Sequence, residues 1–139
     1  MPTVNSPRNP TRRPAGRARE GGSVSIQMVV LMPALFSVMF LGVQAALMYH
    51  ARTVAIAAAQ EGARTAAALN STYALGQQAA RTFVVNAGGD GVLKTASVTG
   101  SRGPATANVS VSGVSLSVIP GWQPRISQSA SAPVERLTG

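Results

Sequence analysis

The stretch GGSVSIQMVVLMPALFSVMF, residues 21–40, opens with two glycines at the end of an arginine-rich tail and runs uncharged into hydrophobic sequence containing one proline. From Gly21 to Tyr49 there is no charged residue, and its most hydrophobic part, Met28 to Leu41, is interrupted by a polar side chain only at Ser37. A bilayer core needs about 20 apolar residues as helix, so the segment is long enough to span. Five arginines (Arg8, Arg12, Arg13, Arg17, Arg19) precede it, whereas Arg52 and Arg64 are the only basic residues close on the other side. The positive-inside bias places the N-terminus in the cytoplasm and residues 50–139 outside. Tyr49 falls where an interfacial aromatic sits.

Composition limits what the rest of the chain does. Of 139 residues, the tail and the apolar stretch leave roughly 90 for one small domain with a modest core. There is no cysteine, so neither disulfides nor thiolate metal sites support the fold. His50 is the only histidine, and the four carboxylates, Glu20, Glu61, Asp90 and Glu135, are well separated in sequence. General acids, bases and metal ligands are therefore scarce, which argues against an enzyme and leaves no expected cofactor, metal or small-molecule substrate. The net charge of +8 invites a nucleic-acid reading. Against it, the tail arginines have a sufficient role beside a membrane-length segment, and the later ones are scattered without interleaved aromatics.

Beyond the membrane, residues 51–69, ARTVAIAAAQEGARTAAAL, are dense in alanine, the best helix former. A polar stripe through Thr53, Gln60 and Arg64 leaves Ile56, Ala59, Ala63 and Ala67 on a small-residue face. An unbroken helix from Ser23 to Leu69 would measure about 70 Å at 1.5 Å per residue. Pro33 removes one backbone hydrogen bond and tends to kink it. Gly42 and Ala46 form a small-xxx-small pair, and Ala58, Gly62 and Ala66 repeat the spacing, a pattern that lets helices approach closely. Gly62 weakens the middle by roughly 1 kcal/mol relative to alanine, so this helix needs a partner surface.

Asn70-Ser71-Thr72 is a cap-rich break. Tyr73 to Asn86 then reads as a second helix with Leu75, Ala79 and Phe83 on its apolar side, ended by Asn86-Ala87-Gly88-Gly89. Beyond this the period becomes two: Ala107, Val109 and Val111 alternate with polar residues, and after Gly113 the phase slips to Val114, Leu116 and Val118, as a bulge or bend at Gly113 would cause. Val92–Thr99 and Arg125–Ala132 are the companion strands, with Ser101-Arg102-Gly103-Pro104 and Pro120-Gly121 as turns. Trp122 is either a lid over the edge of the core or an exposed binding anchor. The predicted fold class is α+β. The expected divisions are a basic disordered leader over 1–22, a transmembrane helix over 23–49, an extracytoplasmic helical region over 50–86 and a small antiparallel β region over 87–139.

Two kinds of processing suit such an N-terminus. A conventional signal sequence would be cut at Val43-Gln44-Ala45, releasing an exported structural domain that starts at Ala46. Cleavage after Gly22 on the cytoplasmic side would instead remove the basic leader and keep the helix, as in prepilins. Arg19-Glu20-Gly21-Gly22-Ser23-Val24-Ser25-Ile26-Gln27, the apolar run with Pro33, and Ala58-Ala59-Gln60-Glu61-Gly62-Ala63-Arg64 together resemble the TadE-like family of tight-adherence pilus assembly proteins. Ala132-Pro133-Val134-Glu135-Arg136-Leu137-Thr138 is similar to the way members of that family often end.

The resemblance implies a pilin-like minor pseudopilin of the type IV pilus superfamily, processed by a prepilin peptidase and partnered by other pseudopilins or pilus assembly proteins in a pilus or secretion machine. It implies a scissile bond between Gly22 and Ser23 and a fifth mature residue at Gln27. Many members carry glutamate there, whose carboxylate pairs with the N-terminal ammonium of a neighbouring subunit. Gln27 can hydrogen-bond but cannot neutralise that charge.

Overall fold

The computed structural model describes residues 1–2 and 20–136, with the side chains of 20–24 left out. Of the disordered leader expected over 1–22, residues 3–19 lie outside the described residues and residues 20–22 belong to the first helix; the Leu137-Thr138 end of the C-terminal resemblance lies wholly outside them. The chain divides into two compact units, Met1–Ser37 and Val38–Gly139. The element order is helix α1 (Glu20–Ala67), helix α2 (Tyr73–Asn86), a short 3-10 turn (Gly89–Gly91), and strands β1 (Leu93–Arg102), β2 (Thr106–Ser115) and β3 (Arg125–Pro133). This is α+β: a long apolar N-terminal helix, a second short helix and a small antiparallel sheet.

In the first unit the helix exposes Ile26, Val29, Leu31, Leu35 and Phe36. Pro33 lies inside α1, which continues through it. The Ser37 hydroxyl donates to the Pro33 carbonyl at 2.7 Å, a bond of the local kind that serine makes one turn back along a helix.

In the second unit the strands form a three-stranded meander in the order β1-β2-β3, both pairs antiparallel. Alternation along β2 puts Ala107, Val109 and Val111 on one fully buried face, while Asn108 on the other face is exposed. Opposite them in β3 stand Ala132, Ala130 and Gln128. The buried face meets α1 through Ala51, Ala55, Ala58, Ala59 and Ala63, and α2 through Ala80 and Val84. Leu93, Gln44, Val109 and Val111 are the largest fully buried side chains, so the core is built from small residues and its elements lie close together.

The backbones of α1 and α2 approach each other closely. A Cβ added at Gly62 would lie 2.9 Å from Ala80 Cβ and 2.9 Å from the Gly76 carbonyl oxygen; one added at Gly76 would lie 2.5 Å from both Ala66 Cβ and the Gly62 oxygen. Each glycine leaves the space the other helix's backbone occupies. This explains why the buried side of α2 is Gly76, Ala80 and Val84, and corrects the apolar side read from its larger residues: Leu75 is half exposed and Phe83 also faces outward. Proximity of backbones, not residue size, selects the face.

Local signals set the element ends. Thr72 caps α2, its hydroxyl oxygen accepting the Leu75 N–H at 3.3 Å. Between α1 and α2, Asn70 takes φ +60°, a conformation asparagine tolerates better than most residues. The irregularity expected at Gly113 falls on the neighbouring strand. Lys94 pairs with Val114 and Ser97 with Ser112, so Thr95 and Ala96 together oppose Gly113. β2 therefore keeps its phase to the buried Ser115 and ends there, and Val118 lies beyond the strand.

Substituting Gly76→Ala gains helix propensity but forces apart two backbones already in contact. The expected net effect is destabilisation by about 1–3 kcal/mol. Gly42→Ala, with nothing within 4 Å of the new methyl, is expected to leave stability unchanged or slightly raised. Chemical denaturation of the two variants in the same detergent checks the contrast.

Candidate assembly and anchoring site

Nothing among the described residues groups three or more histidines, cysteines or carboxylates as a metal cluster would require. The features that organise the molecule are contacts made by α1. Over Ser25–Ala67 it contains a segment long and apolar enough, by length and composition, to cross a membrane.

Gln44 is the first of these contacts. It is 1% exposed, although it lies within the uncharged run. Its side-chain oxygen accepts the Val118 N–H at 2.9 Å, and its amide nitrogen donates to the Leu116 carbonyl at 3.3 Å. The Ser117 hydroxyl lies 3.0 Å from the same oxygen and accepts the Ile119 N–H at 3.1 Å. One side chain thus satisfies the backbone at the start of the β2–β3 loop, which makes few ladder bonds of its own. The Ser115 N–H donates to the Pro124 carbonyl at 2.9 Å and closes the base of the loop. Its tip is a turn in which the Trp122 N–H donates to the Ile119 carbonyl at 3.3 Å. Pro120 and Gly121 occupy the centre, with Gly121 at φ +77°, the arrangement of a type II turn.

The second contact closes the other end of the helix, where the last carbonyls lack intrahelical donors. The Glu135 N–H donates to the Ala67 carbonyl at 2.9 Å, Arg102 Nη2 donates to the Ala68 carbonyl at 3.3 Å, and the Glu135 carboxylate accepts the Leu69 N–H at 3.3 Å. The Val134 N–H donates to the Ala105 carbonyl at 2.9 Å, and the Arg136 guanidinium donates to the Pro104 carbonyl. A guanidinium at a helix C-terminus also complements the negative end of the macrodipole. The Ala-Pro-Val-Glu-Arg ending, read from sequence only as a resemblance, is a clasp on α1.

The sequence-selected positions separate into three groups. Gly22 and Ser23 lie within α1, and Gln27 and Pro33 are exposed on it. Gly42 and Ala46 are exposed, and Gly42 has open space beside it. Ala58, Gly62 and Ala66 are buried inside the subunit. Gln44 was read only as part of a cleavage site; an amide among apolar residues, a feature it shares with Gln27, is the one sequence signal it carries.

Removing the Gln44 amide by Gln44→Ala leaves the Val118 N–H and Leu116 carbonyl without their partner. The expected loss is about 1–3 kcal/mol for each group left unpaired. New proteolytic cleavage between Leu116 and Gln123, mapped by mass spectrometry, accompanies that loss.

The model of the family described as TadE-like protein matches residues 22–64. No curated protein and no solved structure matches the chain. The matched segment contains Gly22, Ser23, Gln27, Pro33, Gly42, Ala46, Ala58 and Gly62, and ends two residues before Ala66. Residues 22–64 are therefore similar to the TadE-like family, and they lie on a helix that is, by length and composition, apolar enough to cross a membrane.

Proposed function

We propose, from a chain whose residues 22–64 are TadE-like, that the protein is a membrane-anchored minor pseudopilin-like subunit of a tight-adherence pilus or a related secretion machine. It acts by helix packing and subunit docking, without catalysis. A prepilin peptidase removes the basic leader at Gly22/Ser23. The positive-inside bias leaves the N-terminus cytoplasmic and the C-terminal domain extracytoplasmic. Other pseudopilins or pilus assembly proteins pack against the open side of the anchor that carries Gly42 and Ala46, where small residues allow close approach. Ala58, Gly62 and Ala66 serve packing within the subunit. Gln27, fifth in the mature chain, offers an amide to a neighbour's N-terminus in place of a carboxylate.

The observation that carries this reading is that the matched segment runs into the core of the domain. Cleavage after Gly22 keeps all of that core. Cleavage after Ala45 removes Gln44 and its hydrogen bonds to Leu116 and Val118, which argues against an exported domain starting at Ala46.

The mass and N-terminal sequence of the mature protein, recovered separately from membrane and medium with and without the prepilin peptidase, test the proposal. The expected product is a membrane-bound chain beginning at Ser23 that is lost in the peptidase mutant. A soluble chain beginning at Ala46 contradicts it. An unprocessed N-terminus in the membrane leaves an anchor and removes the pseudopilin part of the reading.

A further inference from the structure

The β2–β3 loop, Leu116–Gln123, has no charged residue, and it exposes Val118 and Trp122, the latter 44%. Exposed indole and aliphatic groups on a short uncharged turn call for an apolar or amphipathic surface. What identifies that surface is the loop's attachment. Gln44 holds Leu116 and Val118 by two hydrogen bonds, donating its amide N–H to the Leu116 carbonyl and accepting the Val118 N–H, and Gln44 stands where the lipid-length part of α1 ends. About 20 residues of helix cross a hydrocarbon core, and the uncharged part of α1 ahead of Gln44, from Gly21 to Val43, is long enough to do so. The run of exposed large hydrophobics along α1 also stops there: it extends from Ile26 to Val43, and the next member is Tyr49.

Electrostatics agree with this level. Lys94 and Arg125 stand in register on either side of Val114, at the end of the sheet from which the loop leaves. Lys94 and Trp122 line the same hollow beside the loop. Two cations flanking an uncharged apolar turn match phosphate headgroups above an acyl boundary. Trp122 and Tyr49 then have the position of aromatic residues at a membrane interface.

We propose that the Val118–Trp122 turn inserts into the interfacial layer of the bilayer that α1 spans, with Trp122 as its anchor and Lys94 and Arg125 at the headgroups. The contact gives the domain a second attachment to the bilayer. It rests on the membrane-anchored reading above but not on the direction of insertion, because the loop meets whichever leaflet lies at the Gln44 end of the span.

Trp122 is the single tryptophan of the chain, so the intact protein reports directly. It is reconstituted into vesicles of phosphatidylcholine and phosphatidylglycerol, with and without bromines on the upper acyl chains, and its fluorescence is read after flotation. The expected result is blue-shifted emission that loses about half its intensity or more to brominated lipid, as for an interfacial tryptophan, and that aqueous iodide barely quenches. Emission quenched by iodide as in free indole, with no bromine effect, overturns the proposal. So does protection from both quenchers, which would place Trp122 against protein. A chain that does not float with the vesicles overturns the loop contact and the anchoring reading together.

Discussion

The fold of residues 38–139 depends on how closely the alanine face of α1 lets other backbones approach. Ala51, Ala55, Ala58, Ala59 and Ala63 are essentially inaccessible and present almost no side-chain depth. Valines of β2 and the glycine-alanine side of α2 therefore come nearly to the helix surface. Small residues contribute little apolar area each, about in proportion to the area removed from water, so stability here must come from contact density over many positions. Gly62 and Gly76 are the point where that demand is greatest. Helix propensity is given up at both in exchange for van der Waals contact between the two helices.

A helix that serves as both anchor and core constrains everything attached to it. The sheet cannot be separated from residues 51–67, and the β2–β3 loop cannot be separated from Gln44. The C-terminal clasp makes the same demand from the opposite end, since Glu135 and Arg102 meet carbonyls that exist only because the helix stops at Ala67. Processing that preserves the helix is compatible with this arrangement. Processing that discards residues before Ala46 removes one of its buried polar contacts.

Much of this was legible in the sequence because the signals are local. Thr72 and the Gly88-Gly89 pair bound α2, alternation from Ala107 to Val111 marks β2, and Pro120-Gly121 marks the turn. Features set by another element were not. Leu75 and Phe83 are the larger apolar residues of α2, yet its buried side is chosen by α1's closeness at Gly76. The phase slip after Gly113 was assigned to β2, whereas the extra residue lies in β1. Gln44 resembles any residue before a small one until the loop that uses it is in place. Gly22, Ser23 and Gln27 are in a different position: the roles proposed for them involve a peptidase and neighbouring subunits rather than packing within this chain.

Amide hydrogen exchange on the full chain in a bilayer tests the dependence of the domain on its helix most directly. If α1 is the core, amides from Ala51 to Ala67 exchange only through the same global opening as those of Val109 and Val111, with matching protection. Rapid exchange across Ala51–Ala67 while the β2 amides stay protected would show a sheet that stands without the helix, and would contradict it.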